Sequence, residues 1–274
     1  MCFLIPRHLV RRLFFFLFAL PMLPLQTAEA VEPVRVFAAG SLIGAFSVIA
    51  ERWRELHPDH PIDLVTGPAG WLRERIEKGE ALDVYASAAL AHAEALNREG
   101  LVGPAVIFAR NKLCALVKGC SPLTSETVVA KLLESDTRLA TSTPKSDPGG
   151  DYTWEFFRRL DQTHPGAYAA LDARAQQLYG APPNPGKKVP VASRLIADDQ
   201  VDIAIQYCST TRLDKDAPVK GIELPEPSPV ADYGIAVARG RGPWAAEFVM
   251  FVLSPVGQRV LTDYGFIGVG LPSE

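Results

Sequence analysis

The chain has 274 residues, 48% of them hydrophobic, with 28 basic and 31 acidic side chains and a formal net charge of −3. Such length and apolar content suit one or two domains with a substantial core. The mildly acidic balance excludes the basic footprint by which proteins recruit nucleic acid.

Residues 1–30 carry Arg7, Arg11 and Arg12, then an apolar run over 13–25, then Ala28-Glu29-Ala30. This is the pattern of a secretory signal peptide cut after Ala30. The run is short for a span of about 20 residues, and Pro21 and Pro24 break it. Cys2 precedes the run instead of ending it, so a lipid-anchored terminus is not indicated. Without that segment the chain keeps 25 basic and 30 acidic residues, a net charge of −5. It is expected to be soluble outside the cytoplasm.

Strand and helix signals then alternate. Residues 34–38 read as a strand that ends on Ala39-Gly40-Ser41 and meets a helix at once. There Leu42, Ala45, Phe46, Ile49, Ala50, Trp53 and Leu56 recur at three- and four-residue intervals, an apolar stripe suited to packing on a sheet. "PIDLVTG" reads as strand, "GWLRERIEKG" as a short helix closed by Gly79, and "LDVYAS" as strand; a helix over 89–99 stops at Gly100. Further on, "LCALVKG", "RLATST" and "VDIAIQYCS" read as strands, with helices over 124–133, 152–160 and "VASRLIADD". The proline-rich 179–190 must be a surface loop. Strand "ADYGIAVARG" precedes one long helical pattern, "PWAAEFVMFVLSPVGQRVLTDYGF". This rhythm predicts an α/β protein of two units, each a mostly parallel sheet covered by helices.

Beyond the signal segment the cysteines are Cys114, Cys120 and Cys208, and an exported protein could pair two of them. An extended strand would hold Cys114 and Cys120 roughly 20 Å apart, so a local bridge needs a bend near Gly119; buried free thiols fit equally well. "HPDHP", at 57–61, predicts a solvated turn, and nothing resembles a zinc pattern.

In open α/β sheets ligands sit beyond the carboxyl ends of the strands, where backbone N–H groups at helix starts point outward. "FAAGS", "TGPAG", "TSTPKSDPGGD" and "IQYCS" share that grammar of strand ends rich in small and hydroxyl residues. Together they suit a small anion held by neutral donors. Covalent chemistry has little support. Ser41 lies in no nucleophile elbow, no phosphate loop or dinucleotide fingerprint is present, and no histidine is paired with a nucleophile by motif. Cys208 or Ser41 as nucleophile keeps a periplasmic enzyme open as the alternative.

"VFAAGSLIGAF", "GWLRERIEKGEALDVYASA", "DPGGDYTWEFF", "VDIAIQYCS" and "VLTDYGF" resemble, in order and spacing, the periplasmic molybdate-binding proteins of molybdate ABC transporters. The resemblance covers essentially the whole chain after residue 30. It implies a two-lobed type II periplasmic binding protein, with 31–115 and 225–274 forming lobe 1 and 116–224 lobe 2. It implies a periplasmic monomer with no catalytic role, serving an inner-membrane ABC permease. The transported ligand would be molybdate or tungstate, with no other cofactor and no cation ligands. By the same resemblance Ser41 is the first binding serine, and Ala69 replaces a second one so that the amides of Ala69 and Gly70 remain. Gly149 and Val189 supply further backbone amides, and Tyr207 is the pocket tyrosine. Ala69, and Asp151 beside the site, favour a different small or organic anion as the alternative, while Lys187 and Lys188 would raise the potential at the cleft mouth.

Overall fold

A computed structural model describes residues 33–184, 186, 190–212 and 218–270. The expected signal peptide, Val189, Lys187 and Lys188 lie outside the described residues.

The first half winds as β1 (Val34–Ala39), α1 (Ile43–Leu56), β2 (Ile62–Gly67), α2 (Ala69–Glu77), β3 (Val84–Ser87), α3 (Leu90–Arg98) and β4 (Val106–Asn111). A tight 3-10 turn, Gly40–Leu42, separates β1 from α1. The α1 stripe behaves as its spacing predicts, with Ala45, Phe46, Ile49 and Trp53 buried, except that Leu56 at the last turn is 64% exposed. The middle follows as β5 (Leu113–Lys118), α4 (Val128–Leu133), β6 (Leu139–Ser142), α5 (Pro148–Asp161), α6 (Ala167–Arg174), β7 (Gln176–Tyr179), α7 (Ala192–Ala197), β8 (Ile203–Tyr207) and β9 (Val219–Glu223). The chain then closes with β10 (Ala231–Val237), α8 (Pro243–Leu253), α9 (Pro255–Asp263) and β11 (Ile267–Gly268).

Two sheets result, ordered β11-β4-β10-β3-β1-β2 and β7-β6-β8-β5-β9. β2-β1-β3 and β7-β6-β8 are parallel, as βαβ connections require. β10, β4 and β11 extend the first sheet antiparallel, and β5 and β9 do so in the second. Most strands of each sheet thus share one direction, as expected: β10 and β11 run against β1–β4, and β5 runs against β6–β9. One residue, Lys112, makes the outward crossing between β4 and β5, and 224–230 make the return. Lys112 Nζ and Glu223 Oε1, 2.5 Å apart, tie the two crossings together.

Two local expectations change. The closing helical pattern is two helices, because Pro255 cannot continue α8 and Ser254 caps α9 by accepting from Gly257 N (3.4 Å). The 57–61 turn is packed, not merely solvated: Trp53 Nε1 donates to His60 O (2.6 Å) and the His60 ring stacks on Trp244 at 3.8 Å.

Cys114 and Cys208 form a disulfide with Cα atoms 4.9 Å apart, and Cys120 is a free, exposed thiol. The free-thiol alternative thus fails for Cys114 and Cys208. Antiparallel pairing of β5 with β8 sets Cys114 opposite Gln206, and Cys208, two residues on and so on the same face, begins the 3-10 turn Cys208–Arg212 just past the end of β8, within bridging range of Cys114. Disulfide-bonded, Cys208 is no nucleophile. The bridge spans 94 residues of sequence, and closing a loop of that size removes much unfolded-state freedom. Replacing both Cys114 and Cys208 by serine should lower the unfolding free energy by about 2–4 kcal/mol, read from urea melts; an unchanged midpoint would show that the sheet alone holds this edge.

Candidate ligand-binding site

A cavity of about 250 Å³ lies where the two sheets meet. By the ~30 Å³ that each molecule occupies in liquid water, it has room for about eight waters. One wall comes from the carboxyl ends of β1 and β2, through Gly40, Ser41, Gly67 and Pro68. In-register pairing ends at Ala39 opposite Gly67, so these two turns leave the sheet side by side. The other wall comes from the ends of β6, β7 and β8 and the start of α5. No lysine, arginine or histidine lies among the described residues of the wall.

Ser41 is held by its neighbours. Its Oγ lies 2.9 Å from the Tyr233 hydroxyl on β10, and Asn111 Nδ2 approaches that same hydroxyl at 3.4 Å while donating to Ser209 Oγ at 2.7 Å. With Asn111 directed at the Tyr233 oxygen, the Tyr233 proton can turn to Ser41 Oγ, leaving the serine proton for the cavity. Burial holds the Tyr233 phenol well above its ordinary pKa, so that proton stays in place. Nothing in the sequence had marked Tyr233 or Asn111, because both act through another side chain.

Tyr207 reaches the cavity from the end of β8. Its hydroxyl stands 3.5 Å from Ala88 O, on the opposite lobe. That exceeds the usual O–H···O range, which leaves the donor available. Burial, and then the neighbouring Tyr233 and Asp147, push its pKa well up, so the phenol remains protonated. Gly149 lies in the first turn of α5, against the Tyr207 ring; a Cβ there would come within 3.4 Å of it.

Ser41, Gly149 and Tyr207 therefore line one cavity, but the Gly149 amide, expected to face the ligand, donates to Asp147 Oδ1 (3.3 Å). Ala69 and Gly70 do not line it. Ala69 is fully buried, and its carbonyl accepts from the Tyr85 hydroxyl (2.7 Å). Gly70 N donates to Ser146 O (2.8 Å), joined by Trp71 N at 3.3 Å. The Gly70 amide is thus spent on docking one lobe against the other. A side chain there would run into Lys145 O and Ser146 O, so only glycine permits this approach.

The acid in the wall is Asp147, not Asp151. Asp151 Oδ1 accepts from Lys145 N (3.0 Å) outside the cavity. Asp147 caps α5, Oδ1 accepting from Gly149 N (3.3 Å), and its Oδ2 accepts from Ser142 Oγ. Desolvation raises its pKa; the bonds from Ser142 and Gly149 oppose that shift, and Asp151 adds to it. Gly180 closes over the pair at φ +74°, where a Cβ would meet Ser142 Oγ and come within 2.8 Å of the Asp147 Cβ. The Asp-Pro pair was the available signal, since Asp at N-cap before Pro at N1 is a standard helix start. Reading α5 from 152 instead of Pro148 concealed it.

Comparison with known proteins bears on the family and the fold. A family model described as bacterial extracellular solute-binding protein matches residues 34–267. The uncharacterized protein PM1146 of Pasteurella multocida is 31% identical over 245 residues, covering 85% of this chain and 98% of its own. The molybdate-binding protein ModA of Mycobacterium bovis is 25% identical over 247 residues, covering 89% of this chain and 87% of its own. Among solved structures, the Azotobacter vinelandii periplasmic molybdate-binding protein superposes with a TM-score of 0.68 at 18% identity, over 88% of this chain and all (100%) of that one. The sulfate-binding protein SubI of Mycobacterium tuberculosis superposes with a TM-score of 0.70 at 13% identity, over 86% of this chain and 87% of that one. This chain belongs to the bacterial extracellular solute-binding protein family and has the two-lobed α/β fold of a periplasmic binding protein.

Proposed function

We propose that the protein is the periplasmic solute-binding component of an ABC importer and holds a small oxyanion, molybdate or tungstate first, between its lobes. The observation that carries this reading is the convergence of Ser41, Gly149 and Tyr207 on a cavity whose described wall contains no cationic side chain. An oxyanion desolvated there needs charge-assisted hydrogen bonds from both lobes, so binding favours the docked arrangement that a permease would read. The 25% identity to ModA supports molybdate in particular. The Cys114–Cys208 disulfide supports an oxidising compartment.

A second reading, a different small or organic anion, is favoured by Asp147. Two unit charges 4 Å apart repel by about 4 kcal/mol at an effective dielectric of about 20. That cancels roughly two hydrogen bonds to a charged group, at about 1.5–3 kcal/mol each. A bare dianion therefore requires a protonated Asp147 or a place away from it.

Isothermal titration of residues 31–274 with molybdate, tungstate, sulfate and phosphate tests the reading. Submicromolar heats with molybdate and tungstate, and none with sulfate and phosphate, are expected on the first reading; silence from all four discards these substrates. Ser41→Ala and Tyr207→Phe should each weaken binding at least tenfold while leaving the circular dichroism melt in place, and unchanged affinity in both would move the site elsewhere. Gly70→Ala, which obstructs docking, should weaken binding similarly without altering the far-UV spectrum, and full affinity would mean that the lobes need not meet there.

A further inference from the structure

We propose that Asp147, held by Ser142, is a specificity-determining acceptor that makes the cavity prefer an anion carrying its own O–H group, such as hydrogen phosphate or a hydroxy acid, over a fully deprotonated oxyanion. The inference rests on the reading of this cavity as the ligand site and takes the second reading there, a different small or organic anion, so it and the molybdate reading predict opposite rankings in one titration.

Its starting point is what the carboxyl does not have. Its partners are one amide, from the helix it caps, and one hydroxyl, from Ser142 on β6. A carboxylate offers about four acceptor positions, so two bonds leave capacity on a group that lines the cavity. No basic side chain stands in the described wall to neutralise it. The ionisable groups that face it are Asp151, one turn along α5, and the phenols of Tyr179, Tyr207 and Tyr233. None of these supplies positive charge, and an ionised Asp151 adds to the repulsion.

The cavity thus offers donors on one side, from Ser41 and Tyr207, and an acceptor on the other. A ligand with only acceptor oxygens satisfies the first and collides with the second. One with an acidic group and a hydroxyl satisfies both, and rejection of the hydroxyl-free analogue follows because a buried polar group would be left unpaired. Size favours the hydroxy acid of the two: with the lobes already docked through Gly70 and Ser146, the 250 Å³ remaining exceeds what one tetrahedral ion fills. Gly180, whose backbone alone fits over Ser142 and Asp147, fixes the pair in position.

Asp147→Asn isolates the charge, because asparagine caps helices as well as aspartate does: its Oδ1 can still accept from Gly149, and its Nδ2, in the place of Oδ2, can donate to Ser142 Oγ. The probes are sulfate and molybdate, which carry no proton at pH 7.5, against inorganic phosphate, which carries at least one, and glycolate, which carries a hydroxyl. By isothermal titration the wild type should favour phosphate or glycolate over sulfate and molybdate, the better of the two identifying the source of the O–H. Asp147→Asn should shift that ratio at least tenfold toward the deprotonated ions. Lowering the pH until the carboxyl, whose pKa burial raises, takes up its proton should strengthen sulfate binding to the wild type, but not to the variant. A ratio that stays within twofold across the substitution overturns the proposal, as does silence of all four probes with both proteins. The Ser41→Ala variant separates the two levels: if it weakens binding while Asp147→Asn leaves the ratio unchanged, the cavity is the site and only the acceptor role falls, whereas undiminished binding by Ser41→Ala removes the cavity reading itself.

Discussion

In-register parallel pairing of β1 with β2 is the constraint on which the rest of the site depends. Because Ala39 and Gly67 are the last paired residues, two turns leave the sheet at the same height. One carries Ser41 into the cavity and the other carries Gly70 across to the second lobe. A register slip of one residue would reverse every side chain on β1, force Phe37 into the core that Val36 and Ala38 now fill, and turn Arg35 toward that core as well. The hydrophobic pattern of the strand therefore places the serine. The second lobe repeats the scheme, with parallel β6 and β8 delivering Ser142 and Tyr207 to one edge.

Holding an anion without a cation shifts the burden onto neutral dipoles, which act well only when they cannot turn away. Ser41 is braced by Tyr233 and Asn111, and Tyr207 is followed at once by the disulfide-bonded Cys208. The supporting residues lie far away in sequence from the groups that they orient. The site is thus assembled from long-range contacts even though its donors sit in short, recognisable turns.

This explains which parts were legible in the sequence. Elements with a strong period, such as α1 and the strand ending at Tyr207, could be read directly, as could the Gly- and Ser-rich turns that reach the cavity. Five short or weakly patterned elements, β4, β7, β9, β11 and α6, gave no such signal; β4 and β9 flank the crossings, where the chain answers to both sheets at once. The cysteine pairing was hidden because its partners are neighbours only across two antiparallel strands. Gly70 was placed at the ligand by resemblance, but its amide is used between the lobes. Asp147 was passed over because a helix cap and a cavity acceptor look identical until the surrounding walls are known.

The two sheet crossings also have a mechanical meaning. Lys112 alone makes one of them, and the other is seven residues long and includes Pro225, Pro227 and Pro229. A one-residue link has no slack for sliding, and each proline ring fixes its own φ near −65°, so the longer link is a stiff strap. Joined by the Lys112–Glu223 ion pair, the two behave as the pins of a door hinge. Rotation about the line between them is the inexpensive motion, and shear or twist of one lobe over the other is resisted. Rotation of that kind would keep the approach of Gly70 to Ser146 on a single arc, so that the same two faces would meet on every closure.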